Sequence, residues 1–314
     1  MTRKPPAVKR KDKELLTDKT VAQNEQLGSA IYLGSWTPED PQWHEARATR
    51  IGGSEVGAIV GASKYESAYS LWAKKLGYIE AEKAENEFMY WGKALEPVVI
   101  DRFEKEHPEL TLRRDAGTWV HKDRQFQLAN PDAIYQKADG TYGVLEIKTA
   151  RYSDDWQDGV PQYYMTQVQW YLACFGFGEA YLAVLFAGSE YREFKIDAMP
   201  MWQESDLARV SEFLTCLETE TKPAWDGSEA TVKTVREMNP DIDPETRVEL
   251  GELGIHYGNA LTDLDTQKEK VNELQARVLD AMGKAKTGLV YDEPAFIRSS
   301  RKGGTPYLTK KRGS

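Results

Sequence analysis

The chain has 314 residues, a formal net charge of −9 at pH 7, and two cysteines, Cys174 and Cys216. That length suits one large domain with an appendage, or two small ones; two thiols exclude a disulfide framework and a four-cysteine zinc or iron–sulfur site. No apolar run approaches membrane length and the N-terminus lacks the apolar core of a signal peptide, so a soluble cytoplasmic protein is expected. The acidic balance does not announce a nucleic-acid binder, though net charge averages over a surface that can still carry a local basic channel.

Residues 1–40 read as a flexible basic arm, with Arg3, Lys4, Lys9, Arg10, Lys11 and Lys13 crowding its start. A folded domain is expected over 41–222. Its first helix spans 43–49, and Gly52-Gly53-Ser54 then opens a second helix over 56–61. Ser54 is a good N-cap, and two glycines before it let the backbone approach a ligand closely. With Arg47 or Arg50 beside it, such a helix start suits a phosphate; plain turn-and-cap chemistry explains the same residues. Further helices are expected over 67–76 and 85–107, the latter kinked at Pro97. Glu96 precedes that proline, where its carboxylate could point to a site, and taken alone it reads as a solvated helix residue.

Strands over 110–114 and 118–121 lead into the stretch that carries chemistry, Asn130 to Lys148. Asn130-Pro131-Asp132-Ala133 is followed by a turn at Asp139-Gly140 and then by Gly143-Val144-Leu145-Glu146-Ile147-Lys148. Asp-Gly between two β-type runs signals a hairpin. Glu146 and Lys148 are two apart, so on a strand they share a face, and the hairpin returns Asp132 beside them. Two carboxylates and a lysine at one point suit a hard divalent cation such as Mg²⁺. A plain surface hairpin with a Glu–Lys pair is the bland alternative.

After Pro161 a helix carries Tyr163, Tyr164, Gln167 and Tyr171 on one side and Met165, Val168 and Leu172 on another. Three tyrosines and an amide suit a polar site better than a core. An apolar strand over 180–186, a partner over 191–196 and a helix over 201–219 complete the domain. Residues 223–248 read as a linker around a short helix at 229–238. Over 249–314, Leu250, Leu253, Tyr257, Ala260, Leu264, Gln267, Val271, Leu274, Val278 and Ala281 recur with strict three–four spacing. That is a heptad seam on a long helix able to pack on another helix or a partner chain. A basic tail follows, with Arg298, Arg301, Lys302, Lys310, Lys311 and Arg312, and a small hairpin over 289–291 and 295–298.

Pro131-Asp132 with Glu146-x-Lys148 resembles the PD-(D/E)xK nuclease core. Trp43-His44 with Arg47, Gly53-Ser54-Glu55, Trp91-Gly92 with Glu96, and Gln167-x-Gln169 stand around it in a fixed order. Together they resemble the YqaJ-type viral recombinase nucleases, relatives of lambda exonuclease, over about 43–213.

The resemblance implies an α/β fold, a restriction-endonuclease-like core in which a central mixed sheet is flanked by helices, with a C-terminal helical extension. It implies a Mg²⁺-dependent exonuclease with a two-ion site, in which Mn²⁺ can substitute, digesting duplex DNA 5′ to 3′. The resulting 3′ overhangs would pass to a single-strand annealing protein in phage-type recombination, in a bacterial cell or from a phage genome. The lambda-type relatives are ring-shaped trimers, an expectation this longer C-terminus weakens. By position, Glu96, Asp132, Glu146 and the Ile147 carbonyl become metal ligands, and Lys148 orients or activates water with Gln167 beside it. Arg47 and Ser54 would hold a 5′-phosphate, with Arg50 as alternative donor and Tyr164 on the DNA-facing side. An endonuclease of another PD-(D/E)xK type would cut closed circles, and a non-catalytic DNA-binding scaffold would lack cleavage.

Overall fold

The computed structural model describes residues 24–80, 86–301 and 304–311. The basic cluster Arg3 to Lys13, and Lys302 and Arg312 of the tail, lie outside those residues. Two compact units divide the chain, 1–241 and 242–314.

In the first unit the described strands form two five-stranded sheets rather than one. Sheet one runs in the order β1 (Gln26–Leu27), β2 (Ala30–Gly34), β5 (Thr118–His121), β6 (Gln127–Ala129), β3 (Ile51–Gly52). Sheet two runs β10 (Glu190–Asp197), β9 (Glu179–Phe186), β8 (Tyr142–Ala150), β7 (Ala133–Gln136), β4 (Thr111–Arg113). Both are mixed: β3 pairs β6 in parallel and β8 pairs β9 in parallel, the other pairs being antiparallel.

The chain changes sheets at Asn130-Pro131-Asp132. The sequence suggests one interrupted strand there; the structure has β6 ending in sheet one and β7 beginning in sheet two. Proline offers no ladder N–H, so a strand end is where it costs least. The hairpin is as expected: Ala133 pairs with Leu145, and Gly140 takes a left-handed φ of +84° in the turn.

β8 is covered on both faces. On one, Leu145 and Ile147 pack with Val99, Ile100 and Phe103 of α4 (Glu87–Glu106). On the other, Val144 packs with Val168 and Leu172 of α5 (Gln162–Phe175). Glu146 and Lys148 therefore share the α5 face. Pro97 lies inside α4 without ending it. The shorter helices are α1 (Pro41–Ala48), α2 (Gly53–Ile59) and α3 (Ala68–Lys75), and α6 (Pro200–Glu218) follows β10.

Two segments differ from the sequence reading. β1 and β2 fall inside the stretch read as a flexible arm, and Ile31 is buried against the partner strand β5. The helix at Glu229–Met238, α7, lies inside the stretch read as linker. It packs Val235 and Met238 on the core, and its Thr231 hydroxyl donates to Ser67 Oγ at 2.7 Å. Their partners are remote in sequence, so local pattern did not reveal them.

The second unit holds α8 (Gly251–Met282) and a three-stranded sheet, β11 (Thr287–Val290), β12 (Glu293–Ser299) and β13 (Tyr307–Lys310). The heptad stretch is a single 32-residue helix with no buried residue, and the hairpin gains a third strand. Among the described residues no helix is long and apolar enough to cross a membrane.

Gly143 sits opposite Tyr135, whose hydroxyl donates to Glu179 Oε1 at 3.0 Å. A Cβ at 143 would fall within the Tyr135 ring. Gly143→Ala should destabilise the first unit by about 1–3 kcal/mol through overpacking, read as a lower urea midpoint; an unchanged midpoint would mean the ring moves freely.

Candidate active site

The β7–β8 register places Asp132 one step beyond the Ala133–Leu145 pair, opposite Glu146. Its Oδ2 accepts the Ile147 N–H at 2.6 Å, extending the ladder with a side chain one residue before β7 begins. Glu146 Oε1 accepts from Lys148 Nζ at 2.5 Å and from Gln167 Nε2 at 2.6 Å. Gln167 Nε2 also reaches the Tyr171 hydroxyl at 3.0 Å, and that hydroxyl donates to the Asn130 carbonyl at 3.1 Å. The Pro-Asp switch, the glutamate strand and α5 are thus joined by one hydrogen-bonded chain. Lys148 Nζ lies 4.9 Å from the Tyr164 ring centroid, a cation–π contact.

Electrostatics here are dominated by burial and like charge. Burial first and Asp132 second raise the Glu146 carboxyl to about 8, far above its ordinary 4.5. The same two causes raise Glu96 to about 7, and burial raises Asp132. Lys148 is pushed down by burial, but Glu146, Asp132 and Glu96 together hold it above its ordinary value, so it carries its proton. Burial, then Glu146, pushes the Tyr171 phenol well up, keeping it a donor.

Among the described residues three carboxylates face a single ammonium, and Glu146 Oε2 is buried without a hydrogen-bond partner. An orphaned carboxylate oxygen in an excess of negative charge fits a divalent cation with oxygen ligands. Among the described residues no three acidic, histidine or cysteine side chains yet close on one point at ligand distance.

The glycine turn leads to a second cluster. Arg47 Nη2 donates to Ser54 Oγ at 3.1 Å and lies 3.7 Å from Glu55, while its guanidinium covers the Trp43 ring at 4.7 Å. Ser54 is not the cap: α2 starts at Gly53 with Gly52 as N-cap, and Glu55 accepts the Gly52 N–H at 2.7 Å. Glutamate at the third helical position satisfies that amide, so the serine hydroxyl is left to meet Arg47. A Cβ on Gly52 would stand 2.8 Å from the Arg47 guanidinium, and one on Gly53 2.5 Å from the Tyr171 ring. Both glycines are therefore close-approach positions. Arg50 is turned elsewhere, donating to the carbonyls of Gln125 and Ala46.

The sequence reading missed Lys75. Its ammonium donates to the carbonyls of Arg47 and Arg50 at 3.0 and 2.9 Å and pairs with Glu55 at 2.9 Å. It pins the end of α1 to the start of α2. A lysine at the end of a helix carries no signal of such partners. Gln169, singled out with Gln167, is structural: it bonds the Asp197 carbonyl and Met199 N–H.

Residues 42–178 match the YqaJ-like viral recombinase domain family, a span that contains Arg47, Glu96, Asp132, Glu146, Lys148 and Gln167. The uncharacterized protein YqaJ of Bacillus subtilis (strain 168) is 27% identical over 273 residues, which cover 82% of this chain and 80% of that protein. An alkaline exonuclease from Laribacter hongkongensis overlaps 58% of this chain and 94% of its own, at 22% identity and a TM-score of 0.48. A phage-related exonuclease from Haemophilus somnus 129PT overlaps 55% and 96%, at 12% identity and a TM-score of 0.43.

Because Glu146 and Glu96 hold protons in the folded chain that the unfolded chain releases near 4.5, metal-free stability should fall as pH rises from about 4.5 to about 8. Glu146→Gln removes the largest part of that loss. In EDTA the variant should melt several degrees above wild type at pH 8.5, and the two should converge toward pH 5. Equal melting at both pH values would show that burial and Asp132 do not raise Glu146.

Proposed function

We propose that this chain, whose residues 42–178 match the YqaJ-like viral recombinase domain family, is a divalent-metal-dependent deoxyribonuclease acting on duplex DNA ends. The observation that carries the reading is Glu146: buried, raised by Asp132, and left with one unpartnered oxygen beside a protonated Lys148. A purely structural glutamate would have both oxygens satisfied or lie in solvent.

Mg²⁺, or Mn²⁺ in its place, would be held by Glu96, Asp132, Glu146 and the Ile147 carbonyl, and would supply a water of lowered pKa and stabilise the leaving oxygen. The chain's own residues do the rest. Gln167 and Lys148 fix the Glu146 carboxylate, and Tyr171 in turn fixes Gln167. Lys148, held charged by the three carboxylates, serves as a cation facing the scissile phosphate rather than as a base. Arg47, pre-set by Ser54, Gly52 and the Trp43 ring, supplies a guanidinium for a terminal 5′-phosphate. End recognition of that kind favours digestion 5′ to 3′. The product is a 3′ overhang, and a single-strand annealing protein is the partner that such a recombinase domain serves.

Linear duplex labelled at its 5′ or 3′ ends tests this reading. With Mg²⁺ the 5′ label should be released first, EDTA should stop digestion, and closed circular duplex should remain intact. Glu146→Gln should abolish cleavage while the protein still binds duplex. Full digestion by that variant, or prompt loss of closed circles, would sink the assignment.

Arg47→Ala should slow digestion of 5′-phosphorylated duplex by about ten- to a hundred-fold, the worth of a roughly 1.5–3 kcal/mol charged hydrogen bond, and slow 5′-hydroxyl duplex much less. Arg50→Ala, which breaks carbonyl contacts instead, should affect both ends alike. If wild type does not distinguish the two ends, the Arg47 pocket does not read phosphate.

A further inference from the structure

The long helix of the second unit leaves its seam open. Leu250, Leu253, Tyr257, Leu264, Val271 and Leu274 are between 46% and 69% exposed, and no residue of α8 is buried. The ten seam positions keep strict heptad spacing from Leu250 to Ala281. Apolar residues on that repeat form a stripe shaped to accept a second helix as knobs into holes. The small sheet that follows occupies the helix end, where Met282 lies against Gly288, and leaves the stripe clear.

Charge and side-chain size say which helix fits. The first half of α8, residues 251–266, holds Glu252, Asp263 and Asp265 and no lysine or arginine. The second half, 267–282, balances Lys268, Lys270 and Arg277 against Glu269, Glu273 and Asp280. A parallel copy sets acidic half on acidic half. An antiparallel copy sets it on the half that carries the cations, and brings Asp263 of each chain beside Lys270 of the other at the flanking positions.

Size leads the same way. In the antiparallel register centred between Asp265 and Thr266, Leu250 faces Ala281, Leu253 faces Val278, Tyr257 faces Leu274, Ala260 faces Val271 and Leu264 faces Gln267. Each alanine then meets a larger side chain. A parallel register would stack Ala260 on Ala260 and Tyr257 on Tyr257, leaving a gap and a crowded layer.

We infer that two copies of this chain associate through an antiparallel coiled coil of α8, from Leu250 to Ala281. The association is independent of the catalytic reading, since it rests on the spacing and charges of α8 alone.

Sedimentation equilibrium of the full chain should give twice the 35.6 kDa chain mass. Leu264→Glu with Leu274→Glu, on an exposed helix face, should reduce it to one chain with unchanged circular dichroism. Orientation follows from a short thiol cross-linker in a Cys216→Ser background. The Leu253→Cys, Val278→Cys double variant should cross-link between chains, whereas each single variant should not, its two sulfurs standing roughly 37 Å apart at 1.5 Å per residue. A wild-type monomer, a mass that the seam substitutions leave unchanged, or cross-linking by Leu253→Cys alone would each overturn the inference.

Discussion

The site depends on an imbalance of charge. Glu96, Asp132 and Glu146 come from a helix, a strand entrance and a strand interior, and among the described residues only Lys148 answers them. Burial raises all three, Asp132 raises both glutamates further, and Glu96 adds to the rise of Glu146. Left as it is, this arrangement lowers the stability of the fold, and a protein keeps such a cost where a cation or a reacting phosphate offsets it. Gln167, Tyr171 and Asn130 form the uncharged support that holds the glutamate despite the repulsion.

Backbone topology creates that imbalance. The chain passes from one sheet to the other at Pro131, so Asp132 has no strand partner of its own. Its carboxylate takes the Ile147 N–H instead, which carries the side chain across to Glu146. One face of β8 is committed to α4 and the other to α5, so the acidic and basic residues of the strand are aimed at α5 by alternation alone. The same packing sets Gln167 at hydrogen-bonding distance.

The Arg47 cluster is built by close approach. Gly52 admits the guanidinium and Gly53 admits the Tyr171 ring, which ties the α2 start to the helix that supports Glu146. Lys75 then locks two carbonyls of the preceding turn and the Glu55 carboxylate. Lys75 and Arg50 are thus held by backbone carbonyls, whereas Arg47 is held by the Ser54 hydroxyl, Glu55 and the Trp43 ring.

Much was legible in the residues themselves. Asp-Gly between apolar runs gives the hairpin, the period of two puts Glu146 and Lys148 on one face, and the three–four spacing after Leu250 gives a 32-residue helix. These are local rules, set by turn chemistry and side-chain period. What only tertiary structure decided is longer in range. The split of residues 127–136 between two sheets, the ordering of residues 26–34 as strands, and the docking of α7 depend on partners far along the chain. Ser54 lost the cap to Gly52 because Glu55 satisfies that amide, and Arg50 was claimed by the carbonyls of Ala46 and Gln125. Lys75 gained its three partners only when α1, α2 and α3 met. Sequence named the groups that can do chemistry; burial and packing decided which of them hold charge, which hold each other, and which are spent on the fold.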